Sequence, residues 1–231
     1  MKIVVTGATK GIGAAIATKF AAEGFDLAIC ARSLPLLEQL KKEWQEKYKV
    51  DILALPIDMS RKAEVLHFAA KIAEWGCPDI LINNAGVFLP GNIADEADGT
   101  FEQLWQTNVA SAYHLTRALL PQMKAAGSGH IFNICSTASI KAYPQGGSYC
   151  ISKFALLGFS KGLREELQDH NIKVTALLPG ATFTASWEGT TLREDRFMSA
   201  EDVADMVWSI SRLSSRSVVE EVILRPMLGD L

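Results

Sequence analysis

Between Ser136 and Lys153 the chain reads STASIKAYPQGGSYCISK, which sets a hydroxyl, a phenol and an amine in one short segment. A helix beginning near Gly147 would stack Tyr149 and Lys153 on one face, because residues four apart lie one above the other. An unperturbed tyrosine titrates near pH ~10, and a fixed cation beside it favours the phenolate. The pair is therefore expected to exchange a proton near neutrality, as a general acid or base acting on an oxygen. The same spacing also arises on ordinary helix surfaces, so its meaning depends on what the rest of the chain brings to it.

The surrounding pattern is strand and helix in alternation. KIVVT (2–6) reads as a buried strand, and the small-residue run after it as a tight turn opening into a helix. Further strands are expected at 27–31, 52–57, 79–86, 130–136, 173–178 and 218–226. Helices are expected around Leu36, Leu37, Leu40 and Trp44, at 61–75, at about 101–126 and at 147–170. A last helix should start after Ser199, a good N-cap with Asp202 at the third helical position. Such alternation implies parallel strands with helical crossovers, and no linker or repeat divides it. The expectation is α/β: one doubly wound, Rossmann-type parallel sheet of about seven strands in a single domain over 1–231, with a short substrate lid at about 181–199.

The turn Thr6-Gly7-Ala8-Thr9-Lys10-Gly11-Ile12-Gly13 sits where a dinucleotide's pyrophosphate can meet backbone N–H groups and a helix N-terminus. Gly7, Thr9, Lys10, Gly11, Ile12 and Gly13 are the candidate contacts, although Gly-x-x-x-Gly-x-Gly does not match the Gly-x-Gly-x-x-Gly fingerprint literally. At the end of the second strand an acidic residue would bond a ribose 2′-hydroxyl, whereas an arginine can hold a 2′-phosphate. Arg32 occupies that place, Asp26 lies at the opposite edge, and Lys10 adds a second cation. The cofactor reading is NADP(H); the competing one is that Arg32 and Lys10 are ordinary solvated charges.

Composition narrows the class. The 231 residues are 48% hydrophobic, enough for a sizeable core, and the net charge of −3 without a basic run argues against nucleic acid or an anionic membrane. Cys30, Cys77, Cys135 and Cys150 are too widely spaced for a zinc site or a disulfide framework. His67, His114, His130 and His170 do not cluster, so no metal is expected. No stretch approaches the ~18 apolar residues of a membrane span, and a cytoplasmic protein with reduced thiols is expected.

The glycine turn, Asn83-Asn84-Ala85-Gly86, Asn108, Ser136, Tyr149, Lys153 and Pro179-Gly180 occur in the order of the short-chain dehydrogenase/reductase family, which the sequence resembles over nearly its whole length. The resemblance implies that Tyr149 protonates a carbonyl oxygen as a nicotinamide delivers hydride. Lys153 would lower the tyrosine pKa and bond the nicotinamide ribose, Ser136 would donate to the substrate oxygen, and Asn108 would help hold a water that relays protons. It also implies cofactor contacts from Asp58, Asn84, Ala85, Gly86, Pro179 and Gly180. Either Thr184 or Thr182 would meet the carboxamide. A homodimer or homotetramer follows from the same resemblance.

Alternatives stand beside this reading. Gly158-Phe159-Ser160-Lys161-Gly162 matches the nucleophile elbow of esterase-like hydrolases but lacks the preceding strand that an elbow needs. A catalytically silent NADP-binding redox sensor would use the same fold. On a helical wheel of about 100° per residue, Ala155, Gly158 and Gly162 fall opposite Tyr149 and Lys153, either as a subunit interface or as close packing within one chain. Phe88, Leu89, Tyr143, Pro144, Phe183 and Trp187 could wall an apolar pocket for a small-molecule carbonyl or alcohol. Arg193, Glu194, Asp195 and Arg196 would meet an anionic carrier or remain a solvated run. A 3-oxoacyl-carrier reductase is the particular activity suggested.

Overall fold

Successive side chains of a strand point to opposite faces, and here both faces are apolar. In the computed structural model, which describes residues 1–184, 187 and 189–230, Ile3 and Val5 of β1 (Lys2–Thr6) enter one core while Val4 enters another. The first core lies against α1 (Gly11–Ala22), α2 (Leu34–Tyr48) and α7 (Ala200–Ser211), through Ile16, Phe20, Leu37, Trp44, Val203 and Val207. The second lies against α3 (Lys62–Trp75), α5 (Ser111–Ala126) and α6 (Gly147–Leu167), through Val65, Phe68, Leu115, Leu119 and Leu163.

The remaining strands are β2 (Asp26–Ala31), β3 (Ile52–Pro56), β4 (Ile80–Asn83), β5 (Gly129–Ile134), β6 (Ile172–Pro179) and β7 (Glu221–Leu224). All pairings are parallel, in the order β3-β2-β1-β4-β5-β6-β7. The strand order reverses between β1 and β4, and ligands of open α/β sheets bind beyond the carboxyl ends of the strands at such a switch point. Thr6, Ala31, Asn83, Ile134 and Pro179 all end their strands on that side.

Several boundaries differ from the sequence expectation. The helix expected over about 101–126 is α4 (Thr100–Trp105), a π-helical turn over Gln106–Ala110 and then α5. The helix expected over 147–170 is α6 followed by a 3₁₀ turn at Gln168–His170. The last strand, expected over 218–226, is shorter at both ends, and at its C-terminal end Pro226 has no N–H to give. Ser199 does cap α7, its hydroxyl accepting from Asp202 N at 3.0 Å. Among the described residues no helix is long and apolar enough to cross a membrane.

Candidate active site

The glycine turn is shaped by β4. Thr6 Oγ1 accepts from Asn84 N at 3.0 Å and Ala85 N at 2.9 Å, and Asn84 Nδ2 donates to Thr6 O at 2.8 Å and Gly7 O at 3.2 Å. Gly7 and Ala8 donate to the Cys30 carbonyl. Gly7 and Gly11 hold left-handed φ of 67° and 53°, and a Cβ on Gly13 would collide with Asn84 Nδ2 and Gly7 O. Glycine is required at all three. The side-chain amide of Asn84 is committed to holding the turn.

Charge around this turn suits an anion. Lys10 is exposed at the N-cap of α1, whose first turn has no acidic residue. Arg32 is exposed directly after β2. Burial pushes the Asp58 carboxyl up, but hydrogen bonds from Ser60 and the charges of Arg61 and Arg32 outweigh it and hold the group below its ordinary range. Arg32 and Asp58 thus share one corner. Asp26, at the other edge, accepts from Asp51 N.

The proton-transfer groups meet beyond β4, β5 and the start of α6. Lys153, only 6% exposed, donates to the Ile134 carbonyl at 2.9 Å, and its Nζ lies 5.8 Å from the centroid of the Tyr149 ring. Phe88 meets Tyr149 edge-on, with centroids 4.9 Å apart. Ser136 caps a short 3₁₀ turn, its Oγ accepting from Ala138 N at 3.1 Å. Its hydroxyl hydrogen is left to donate. Asn108, on the π-helical turn, accepts from Val87 N at 2.8 Å and donates to Val87 O and Ser152 Oγ, both at 3.0 Å. Both amide hydrogens of Asn108 are therefore spent within the protein.

The expected direction of the tyrosine pKa is corrected here. Burial pushes the Tyr149 phenol up to about 12, with Ser136 pulling it back by a hydrogen bond. The Lys153 ammonium is itself disfavoured by burial. Burial is the largest influence on both groups.

The two threonine candidates separate. Thr182 is buried and donates to the Gly180 carbonyl at 3.1 Å, whereas a Cβ on Gly11 would lie 2.9 Å from Thr184 Cγ2. It is Thr184 that borders the glycine turn. Pro179 closes β6, and Gly180 N donates to Leu224 O at 2.8 Å. A cavity of about 430 Å³ opens between Gly11, Phe183, Thr184, Trp187 and Leu192, with Phe197 against both Phe183 and Trp187. Ala185, Ser186 and Glu188 of the expected lid lie outside the described residues.

Ser160 of the elbow-like motif is buried in mid-helix, donating to Leu156 O and accepting from Asn133 Nδ2, so it is no exposed nucleophile. Among the described residues no group of histidine, cysteine and carboxylate side chains could hold a metal. Among the described residues, no other element of the chain comes within 4 Å of a Cβ added at Gly158 or Gly162. Close packing of these two glycines against another described element of the same chain is therefore absent.

A glycine cradle at the switch point beside a Ser-Tyr-Lys set is the site of a dinucleotide-dependent oxidoreductase. The chain belongs to the short chain dehydrogenase family, whose model matches residues 1–195. It is 35% identical to a sepiapterin reductase of Chlorobaculum tepidum over 99% of this chain and 97% of that one. A 30% identity to an NADP-dependent 3-hydroxy acid dehydrogenase of Salmonella typhi covers 98% and 95%. Among solved structures, an alcohol dehydrogenase of Thermococcus sibiricus complexed with 5-hydroxy-NADP superposes with a TM-score of 0.93 at 27% identity, covering 100% of this chain and 98% of that one. L-sorbose reductase of Gluconobacter frateurii, complexed with NADPH and L-sorbose, gives 0.91 at 28% identity, covering 100% and 97%.

Proposed function

We propose that the chain interconverts a ketone or aldehyde and its alcohol with NADP(H), using Tyr149 as general acid in reduction and general base in oxidation. The observation that carries this is the convergence of Ser136, Tyr149 and Lys153 at the same strand ends as the glycine turn. The turn suits a pyrophosphate because Gly7, Gly11 and Gly13 keep its backbone bare, with Thr9 and Ile12 between them. Lys10 and Arg32 are the exposed cations that would meet a 2′-phosphate. Asp58, Ala85 and Gly86 flank the adenosine side, and Pro179, Gly180 and Thr184 the nicotinamide side.

NADPH, when bound, supplies the hydride. Tyr149 is fully protonated at neutral pH and has a proton to give to the carbonyl oxygen. Ser136 donates a hydrogen bond to that same oxygen as charge develops on it. The Lys153 ammonium offsets the phenolate left behind and bonds the nicotinamide ribose. Phe88, Tyr143, Phe183 and Trp187 give the substrate side an aromatic character, and segment 181–199 acts as its lid. An uncharged ketone with an apolar flank fits these walls; a 3-oxoacyl thioester is one such compound.

The face of Ile151, Phe154, Gly158 and Gly162 on α6, with Trp105 and Tyr113 nearby on α4 and α5, forms the contact between two copies. The test of the chemistry is Tyr149→Phe assayed by NADPH absorbance over a panel of ketones and aldehydes. The expected result is loss of at least ~100-fold in kcat on every substrate that the parent reduces. Turnover at the parental rate would refute the assignment.

A further inference from the structure

Glu96, in the loop between β4 and α4, holds the start of the helix that presents Tyr149. Helix α6 has no side-chain cap of its own, since Gly146 stands at the N-cap. Instead Ser148 N donates to Glu96 Oε1 at 2.7 Å, and the Ser148 hydroxyl donates to Glu96 Oε2. Ser148 is the second residue of the helix and Tyr149 the third. The carboxylate therefore meets the unpaired amides and the positive end of the helix one residue before the phenol.

The surroundings are cut to admit it. A Cβ on Gly147 would collide with Glu96 Oε1, and one on Gly91 would lie 2.8 Å from Glu96 Cγ. The loop is fixed to the segment before α6 by Gly91 N to Gln145 O at 2.9 Å and by Gln145 N to Asn92 Oδ1 at 3.0 Å. Glu96 N in its turn donates to Asn92 O at 3.0 Å. The same loop carries Phe88, whose ring packs edge-on against Tyr149. One connection thus grips the phenol from its ring side and its helix from the N-terminal side.

We propose that Glu96 is a positioning residue for proton transfer by Tyr149, acting through Ser148. The inference rests on the reading of Tyr149 as the acid. A cap that merely stabilised α6 would change the melting temperature and leave turnover alone. A positioning role changes kcat while cofactor affinity stays, because the bonds of Glu96 run to Ser148 and Asn92 and not to the glycine turn.

The experiment compares Glu96→Ala, Glu96→Gln, Ser148→Ala and Tyr149→Phe by steady-state ketone reduction and by NADPH fluorescence titration. Glu96→Ala should lose about tenfold in kcat, with the NADPH dissociation constant within about twofold of the parent. Glu96→Gln, whose amide oxygen still accepts from Ser148 N, should recover most of that loss. Ser148→Ala, which keeps only the main-chain bond, should lie between them. Parental kcat in Glu96→Ala, or in Ser148→Ala should Glu96→Ala not fold, overturns the proposal. So does a Glu96→Gln protein as impaired as Glu96→Ala, or a loss that appears equally in NADPH affinity. If Tyr149→Phe is inactive while Glu96→Ala is parental, only the role of Glu96 fails; if Tyr149→Phe stays active, the reading of Tyr149 fails first.

Discussion

The ammonium of Lys153 is held by the main-chain carbonyl of Ile134, 2.9 Å away, and forms no ion pair with a carboxylate among the described residues. A cation buried against one neutral acceptor is kept at a cost in stability, which separates its catalytic contribution from its structural one. In Lys153→Met, removal of the desolvated charge offsets the lost hydrogen bond. Unfolding free energy by urea titration should stay within about 1 kcal/mol of the parent, while kcat falls by about 100-fold. A variant that lost both together would show that the bond to Ile134 is structural.

Arg32 is exposed, and its charge lowers the Asp58 pKa from the same corner. Arg32→Asp should weaken NADPH binding by at least ~10-fold, about 1.4 kcal/mol, and narrow or reverse the preference over NADH. Fluorescence titration with both nucleotides measures this, and an unchanged preference would remove Arg32 from the 2′-phosphate site.

Among the described residues, no other element of the chain comes within 4 Å of a Cβ added at Gly158, so Gly158→Arg has room in an isolated subunit. The expected outcome is a smaller sedimenting species that still binds NADPH. An unchanged sedimentation coefficient would rule this face out as a subunit contact.

Burial raises the Cys30 thiol from 9.0 to about 12. With the folded value above the unfolded one, its contribution to stability is complete below pH 9.0 and is lost as pH rises toward 12. Cys30→Ala should therefore reduce the alkaline fall of unfolding free energy by about 1.4 kcal/mol per pH unit between roughly pH 9.5 and 11.5. Urea unfolding at stepped pH checks the difference in slope. Parallel curves for parent and variant would mean that Cys30 does not titrate differently on folding.

The sheet was readable in the sequence because its signals are local. Runs such as KIVVT and LAICA, and the glycines after the first strand, each declare themselves within a few residues. What escaped was set by contacts between distant segments. Glu96 sits among Asp95 and Asp98 and looks like one more solvated acid, yet its partner Ser148 is 52 residues away. The tyrosine–lysine pair was placed correctly on one helix face, but helical spacing carries no information on how far Phe88, Ser136 and Ile134 enclose it. Desolvation, which decides the direction of the pKa, is a property of that enclosure. Thr182 and Thr184 stand close together in one polar loop, and only the fold shows that Thr182 turns inward to Gly180 while Thr184 borders the glycine turn. The outward face of Gly158 and Gly162 likewise depended on what α6 packs against, which the wheel alone does not specify.

The bonds from Thr6 to Asn84 and Ala85 span 78 and 79 positions of the chain. During synthesis every glycine of the nucleotide turn is made early, but the groups that hold the turn emerge only after three helical crossovers and the fourth strand have been translated. Contacts of such high sequence separation close late in folding. A nascent chain halted before residue 84 would possess the whole fingerprint and lack its scaffold, so acquisition of nucleotide affinity should serve as a clock for the joining of the two halves of the sheet.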